Sequence, residues 1–165
     1  FGYVNKQSFR VLERTLIGSR EITKKERELL DKELERNFEN SILDEKIIKL
    51  LKRIYLLNKN ADVGFRRKNT AALLFQYFSD MDRSLKQIYR VLKNGKFAFI
   101  VVGNNKTTAG DEPIEIPTID FINLIAINNG FKFRDRIDMV VPKSYAIHSK
   151  NSINREAVLV LKKKG

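Results

Sequence analysis

The sequence predicts an α/β fold: a partial doubly wound sheet with an antiparallel edge strand and an inserted helical segment. Residues 97–102, FAFIVV, form an unbroken apolar run of strand length, which is typical of a strand covered on both faces. On either side lie segments whose apolar residues recur every three to four positions, as helices require. The last apolar run, REAVLVLKKK, follows the preceding strand through a loop without a helix, which indicates an antiparallel pair at the edge of an otherwise parallel sheet.

Two helices are predicted within residues 23–57. Thr23 with Glu26, and Ser41 with Asp44, have the spacing of a capping box, in which a hydroxyl and a carboxylate satisfy free backbone N–H groups. The first helix is almost wholly charged and is expected to lie on a surface. The second is expected to pack against the core through an apolar stripe formed by Ile47, Leu50, Leu51, Ile54 and Leu57.

The second part of the chain alternates helices and strands. A long helix is predicted from about Thr70, with an apolar seam from Ala71 to Leu92, and Gly95 supplies the left-handed residue that ends it. After FAFIVV and a polar loop at 103–115, Pro117-Thr118 opens a helix that stops at Asn129-Gly130. FKFRDRIDMVV then alternates like a strand exposed on one side. We therefore divide the chain into residues 1–69, with the inserted helices, and residues 70–165.

Composition excludes several classes of protein. A chain of 165 residues with 42% hydrophobic and 32% charged residues fits one cored domain by default. There is no cysteine and His148 is the single histidine, so a disulfide or a metal site is not expected, and His148 is expected in a surface loop. No apolar run approaches the roughly 18 residues of a spanning helix, and no signal-peptide pattern opens the chain, so we expect no membrane partner and a cytoplasmic location.

The formal net charge of +12 favours a polyanionic partner. The alternative is a lysine-rich proteome, which raises the charge without creating a binding face. Nucleic acid is the preferred interpretation because the basic residues cluster. The clusters are Arg66-Arg67-Lys68, Lys132 with Arg134 and Arg136, and Lys162-Lys163-Lys164.

Three runs resemble the closing half of class I S-adenosylmethionine-dependent methyltransferases: YFSDM with IYRVLKNGKFAFIVVGN, then IPTIDFINLIAINNGF, then REAVLVLKKK. More narrowly, they resemble the amino-methylating DNA methyltransferases that act on cytosine N4 or adenine N6. In that family Tyr-Phe-x-Asp-Met on a helix leads into Arg-Val-Leu-Lys-x-Gly and an apolar strand ending in Gly-Asn or Gly-Asp. The matching residues are Tyr77, Phe78, Asp80, Met81, Arg90, Val91, Leu92, Lys93, Gly95, Gly103 and Asn104. Asn94 stands where the family usually has proline.

Two motifs of that family are missing. There is no glycine-rich loop after a first strand to bind the methyl donor, and none of Pro113, Pro117 and Pro142 belongs to an Asp/Ser/Asn-Pro-Pro-Tyr/Phe tetrapeptide. That tetrapeptide would hydrogen-bond the delocalised target amine and stack on the flipped base. We therefore assign no catalytic residue to this chain and expect it to be inactive alone. We expect it to be the portion after the tetrapeptide, with S-adenosylmethionine bound mainly by residues outside it.

The resemblance also implies sites. Ligands of open α/β sheets lie outside the carboxyl ends of the strands, so Gly103 and Asn104 are expected at the rim of the substrate pocket, and Tyr3 could stack on a base there. Arg66, Arg67 and Lys68 are expected to contact the phosphates of double-stranded DNA. The helices within 23–57 are candidates for target recognition, and a structural lid is equally compatible with them. A homodimer or a missing first half would both complete the site.

Two other classes of function stay open. One is an RNA or protein methyltransferase of the same fold, because fold does not fix the substrate. The other is a non-catalytic nucleic-acid-binding module that has lost its donor site. A glycine-rich loop and an Asp/Ser/Asn-Pro-Pro-Tyr motif upstream in the reading frame would favour the enzyme.

Overall fold

The structure is a computed structural model and describes residues 16–18, 23–140 and 155–165. The helices are α1 (Lys24–Glu39), α2 (Glu45–Lys59), α3 (Phe65–Lys68), α4 (Thr70–Val91) and α5 (Thr118–Asn128). The strands are β1 (Phe97–Gly103), β2 (Asn105–Ala109), β3 (Glu112–Ile116), β4 (Phe131–Val140) and β5 (Arg155–Lys163). The chain forms two compact units, and the boundary between them falls inside α4, between Met81 and Asp82.

Of the two predicted capping boxes, the first is confirmed and the second is wrong. Thr23 caps α1, and its hydroxyl accepts from Glu26 N while the Glu26 carboxylate accepts from Thr23 N. At α2 the cap is Asp44, whose Oδ1 accepts from Lys46 N at 2.9 Å. Ser41 Oγ instead accepts from Leu43 N at 3.0 Å, so this hydroxyl closes a tight turn before the helix. The helix therefore begins at Glu45.

The core of the first unit is built by one face of α2 against α1 and the first half of α4. The stripe predicted on α2 is buried at Ile47, Leu51 and Ile54. From α1, Leu34 and Phe38 are buried, so this mostly charged helix also contributes to the core. Edge-to-face contacts join the Phe38 ring to Tyr55, at 6.2 Å between centroids, and to Phe75, at 6.0 Å. Aromatic packing therefore ties α1 to both of its neighbours.

The main sheet of the second unit has the strand order β1-β5-β4, and β5 runs antiparallel to both neighbours. The antiparallel pairing of β4 and β5 is confirmed, and the pair lies at one end of the described strand order. The predicted antiparallel edge strand is not β5, however, because β5 lies between β1 and β4. Because both outer strands oppose β5, β1 and β4 point the same way, and α5 connects them. The reversed strand thus fills the gap between two parallel strands, and the described residues contain no directly paired parallel strands.

The segment predicted as a polar loop, 103–115, forms the end of β1 and a β-hairpin. Strands β2 and β3 pair from Asn105 opposite Ile116 to Ala109 opposite Glu112, across a two-residue turn at Gly110-Asp111. Gly110 has φ +55, which the turn requires. Ala109, Ile114 and Ile116 are buried, so one side of the hairpin packs on the protein.

The prediction that β1 is covered on both faces is wrong for the described residues. Its burial alternates: Ala98 is buried, whereas Phe97, Phe99 and Val101 are exposed. On one face Ala98 lies opposite the buried Leu161 of β5. On the other face the exposure of Phe97, Phe99 and Val101 is between 44% and 64%. We call Phe97, Phe99 and Val101, with the exposed Ile137 of β4, the open face. The rest of β4 also differs from the predicted one-sided burial, since it is exposed from Lys132 to Asp138.

Gly130, after α5, permits a close approach between backbone and ring. Its φ is +98, and a Cβ atom there would lie 3.0 Å from Cζ of Tyr89. The Tyr89 ring cannot easily move, because it packs edge-to-face on the buried Phe131 at 5.0 Å and lies 4.9 Å below the Lys163 ammonium. The junction between α5 and β4 therefore depends on glycine at this position.

We expect Gly130→Ala to lower the free energy of unfolding by about 2 kcal/mol, because the left-handed backbone and the contact with Tyr89 both penalise a side chain. Urea denaturation followed by circular dichroism measures the change. Gly95→Ala is the matched control: Gly95 has φ +72, but a Cβ atom there would meet nothing within 4 Å. It carries the backbone cost alone, about 1 kcal/mol. Equal losses in the two variants would show that Tyr89 imposes no constraint.

Candidate functional site

The predicted pocket rim lies at the carboxyl end of β1. Gly103 is the last residue of the strand, opposite Glu156, and its φ is not positive, so the backbone there does not itself require glycine. Asn104 follows, and its Oδ1 accepts from Ile119 N at 3.0 Å, in the first turn of α5. It supplies a cap that Pro117, the residue at the start of α5, does not provide. Asn104 therefore has a structural role, and its place at the rim of a substrate pocket stays a prediction. Tyr3 lies outside the described residues.

The three predicted DNA-binding residues lie together on α3. This helix has four residues, Phe65–Lys68, begins after Gly64 and is followed by Asn69. Every residue from Gly64 to Lys68 is exposed, whereas Asn69 is buried. We call residues 64–69 the basic turn. It presents Arg66, Arg67 and Lys68 to solvent at consecutive positions.

Two buried asparagines hold the backbone of the basic turn. Asn58, near the end of α2, donates from Nδ2 to the carbonyl oxygen of Arg67 at 2.8 Å. Asn69 donates from Nδ2 to the carbonyl oxygen of Arg27 at 3.1 Å and to Oδ1 of Asp31 at 2.8 Å. Both side chains are at most 1% exposed. Since buried polar groups are costly unless they are satisfied, these bonds fix where the basic turn sits on α1 and α2.

The aromatic residue of the basic turn is positioned by α1. The Arg27 guanidinium lies over the Phe65 ring, 5.9 Å from its centroid, and Arg27 Nη1 donates to Asn69 Oδ1 at 3.3 Å. Asn69, which anchors the basic turn, therefore also holds the Arg27 guanidinium that lies over the Phe65 ring. Phe65 itself is largely exposed.

Three residues of the other two basic clusters, Arg136, Lys162 and Lys163, take part in local interactions. Arg136 pairs with Asp138 at 2.8 Å and lies 3.8 Å from Asp120. Lys163 donates from Nζ to the carbonyl oxygen of Leu92 at 2.7 Å, and so caps the end of α4. Lys162 lies over the Phe97 ring at 5.4 Å. Lys132, Arg134 and Lys164 are exposed as well, but among the three clusters the basic turn has three consecutive cations that are all exposed.

A cluster of titratable groups joins α1 to α2 on the surface. Glu35 Oε1 accepts from Lys59 Nζ at 3.0 Å and from the Tyr55 hydroxyl at 2.8 Å. The hydrogen bond from Lys59, followed by that from Tyr55, lowers the pKa of Glu35, and the same carboxylate raises the pKa of Lys59. Partial burial raises the pKa of Tyr55. The hydrogen-bonding groups of Glu35, Tyr55 and Lys59 bond to one another, which indicates a structural link between α1 and α2 rather than a catalytic site.

Within the described ranges, no three histidine, cysteine, aspartate or glutamate side chains come together in a way that could hold a metal ion. In the same ranges, no helix is both long and apolar enough to cross a membrane. His148 lies outside the described residues.

Sequence reasoning missed Phe65, Asn58 and Asn69. Phe65 directly precedes the basic cluster in the sequence, and an aromatic residue beside cations was a signal that could have found it. Asn58 and Asn69 carried no such signal, because an asparagine at a helix end is ordinary until packing buries it.

No protein-family model matches the chain, and no curated protein matches it in sequence. Among solved structures, the chain is similar to a protein of Thermus thermophilus proposed to be a DNA modification methylase, in complex with S-adenosyl-L-methionine. The identity is 21% and the TM-score 0.45, over 54% of this chain and 37% of the other. The selenomethionine derivative of the same protein gives the same values. The chain thus spans little more than a third of the length of this neighbour.

Proposed function

We propose that this chain is the closing part of an S-adenosylmethionine-dependent DNA methyltransferase that methylates the exocyclic amine of cytosine or adenine. The observation that supports this most directly is where the family-like residues lie. Tyr77, Phe78, Asp80 and Met81 lie on α4, Gly95 forms the turn after it, and β1 ends in Gly103 and Asn104. Helix, glycine turn, strand and small polar tip therefore follow one another as the resemblance requires.

In this proposal the sheet continues beyond β1. Among the described residues, β1 pairs with β5 alone, and the open face next to it is apolar. Sheets in doubly wound proteins have further strands and helices on both faces, which would cover such surfaces. If the chain is the closing half of such a sheet, the unpaired edge of β1 and the open face would lie against the remaining strands and helices of the domain.

The methyl donor fits poorly to the described residues alone. Such a donor needs a glycine-rich turn that leads from a strand directly into a helix. In the described part of the chain, β1 leads into the β2–β3 hairpin, and α5 begins at Pro117-Thr118. We therefore place the donor outside these residues and derive no step through it.

The chain's own contribution would be to shape the pocket and to bind DNA. Gly103 has no side chain to fill the space outside the end of β1, which would leave room for an extruded base. Residues 1–69, with the basic turn, would contact the DNA backbone, and residues 70–165 would complete the catalytic domain. The inserted helices α1 and α2 would hold the basic turn in place.

The test is methyl transfer by the complete polypeptide encoded by the natural reading frame. With tritiated S-adenosylmethionine, we expect label in double-stranded DNA, on cytosine N4 or adenine N6 after digestion to nucleosides. Matched reactions contain RNA or a protein extract in place of DNA. Label in RNA or protein alone would contradict the proposed substrate. No label in any acceptor, from a protein that is folded by circular dichroism, would contradict the enzyme and favour a non-catalytic DNA-binding module.

A further inference from the structure

Phe65 combines exposure with a fixed position beside three cations. Its side chain is 61% exposed, and it directly precedes Arg66, Arg67 and Lys68 on α3. Single exposed apolar residues are common and by themselves need no explanation. Here, however, the Arg27 guanidinium lies over the ring, and Arg27 is itself bonded to the buried Asn69. The ring is therefore positioned by α1 although it is not buried.

We propose that Phe65 stacks on an unpaired base of the DNA whose phosphates the basic turn contacts. This inference rests on the DNA-binding part of the proposed function. It adds an aromatic contact to the phosphate contacts predicted from the sequence.

The chemistry of the basic turn fits single-stranded nucleic acid. Proteins that bind single strands combine cations that follow the phosphates with aromatic rings on which bases stack. Arg66, Arg67 and Lys68 supply three consecutive exposed cations, and Phe65 supplies the ring at the adjacent position. A base in an intact duplex has both faces covered by its neighbours, so stacking on Phe65 requires a base that is locally unpaired. A methyltransferase that extrudes its target base creates such a site.

The chain offers a clean fluorescent probe because it contains no tryptophan. Phe65→Trp would place a single indole at the proposed contact. Phe99→Trp is the matched control, because Phe99 has nearly the same exposure, 64%, and lies on the open face of the sheet. Each variant of the 165-residue chain is titrated with a single-stranded oligonucleotide and with the duplex of the same sequence. We expect strong quenching of Phe65→Trp by the single strand, weaker quenching by the duplex, and little change in Phe99→Trp.

A second pair of variants measures the contribution to affinity. We expect Phe65→Ala to weaken single-strand binding by about 5- to 150-fold, the range that corresponds to stacking of one base on an aromatic ring. Phe65→Leu should weaken single-strand binding to a similar extent, because leucine has no ring on which a base can stack, although it keeps apolar area at this position. The dependence of binding on salt should stay unchanged in both variants, since no charge is removed. Circular dichroism verifies that each variant is folded.

The outcomes separate this inference from the function on which it rests. If the chain binds DNA and Arg66→Ala weakens binding, but the single strand quenches Phe65→Trp no more than Phe99→Trp, stacking is overturned and DNA binding stands. Unchanged affinity in Phe65→Ala would overturn stacking as well. If the unsubstituted chain binds neither the single strand nor the duplex at low salt, the proposed DNA binding is contradicted, and the stacking proposal is contradicted with it.

Discussion

Replacement of Arg66, Arg67 and Lys68 together by alanine is expected to weaken binding of the chain to duplex DNA by about 100-fold at about 0.15 M salt. Each contacted phosphate releases counterions and adds about 0.9 to the negative slope of log K against log salt concentration, so the slope should flatten by about 2.7. Fluorescence anisotropy with a labelled duplex, measured from low to physiological salt, gives both values. The substitutions should leave the fold intact, since the basic turn is anchored through the backbone of Arg67 and the side chain of Asn69.

The matched control removes the same charge from another surface of the first unit. Lys46, Lys49 and Lys52 are exposed on α2. They precede Asn58, the residue of α2 that holds the basic turn, by six to twelve positions, or roughly 9–18 Å at the helical rise of about 1.5 Å per residue. Alanine at these three positions should change the slope by much less than about 2.7. Equal flattening in both triple variants would mean that net charge, and not the basic turn, determines DNA binding.

The elements that the sequence predicted well have signals within a few residues of their ends. The long helix begins at Thr70 as expected, and Gly95 follows it with φ +72. The helix after Pro117 runs from Thr118 to Asn128, and Asn129 caps it. Caps, glycine turns and a helical period of about 3.6 residues are local properties, so one sequence is sufficient to locate them.

Strand order could not be predicted in the same way. An apolar run such as FAFIVV shows that a strand exists, but the neighbour it pairs with is settled by contacts between residues 97–103 and 155–163. The sequence between β4 and β5 has no helical pattern, which correctly indicated antiparallel pairing, yet it could not show that β5 lies between β1 and β4. The β2–β3 hairpin was missed although a Gly-Asp turn was present, because its strands are polar and one contains Pro113.

The candidate site was only partly predicted, because its charged residues are visible in the sequence whereas the contacts that hold them form only in the folded chain. Charge clusters are visible in the sequence, so Arg66, Arg67 and Lys68 were found. Their support was not visible, since Asn58 and Asn69 acquire their importance only when α1, α2 and the basic turn pack together. The other basic clusters looked equivalent in sequence, and the structure distinguishes them through the contacts of Arg136 and Lys163.

The support of the basic turn leads to a second large expected effect. Asn69→Asp should lower the free energy of unfolding at pH 7 by about 3 kcal/mol, because it replaces a buried donor by an acceptor. Nδ2 of Asn69 faces the carbonyl oxygen of Arg27 and Oδ1 of Asp31, and a carboxylate oxygen would be repelled by both. The other oxygen would keep its bond from Arg27 Nη1, so the change is confined to the donor side. Urea denaturation at pH 7 measures the loss.

The loss should depend on pH in a defined direction. Burial, the Asp31 carboxylate and the Arg27 carbonyl oxygen disfavour the charged form and together outweigh the Arg27 guanidinium, which favours it. The carboxyl introduced at position 69 should therefore have a pKa that is higher in the folded than in the unfolded chain. Its protonated form can donate as the amide did. Stability relative to the unsubstituted chain should therefore be lowest above the folded-state pKa and should recover as the pH falls toward the unfolded value of about 3.9.

Asn40→Asp is the control for this substitution. Asn40 is exposed at the end of α1, and its Nδ2 donates to the Arg36 carbonyl oxygen at 3.0 Å. Aspartate there loses one solvent-accessible hydrogen bond and places a negative charge at a helix carboxyl end, so it should cost about 0.5 kcal/mol through the helix dipole. A pH-independent loss in Asn69→Asp equal to that of Asn40→Asp would show that the buried hydrogen bonds do not hold the basic turn.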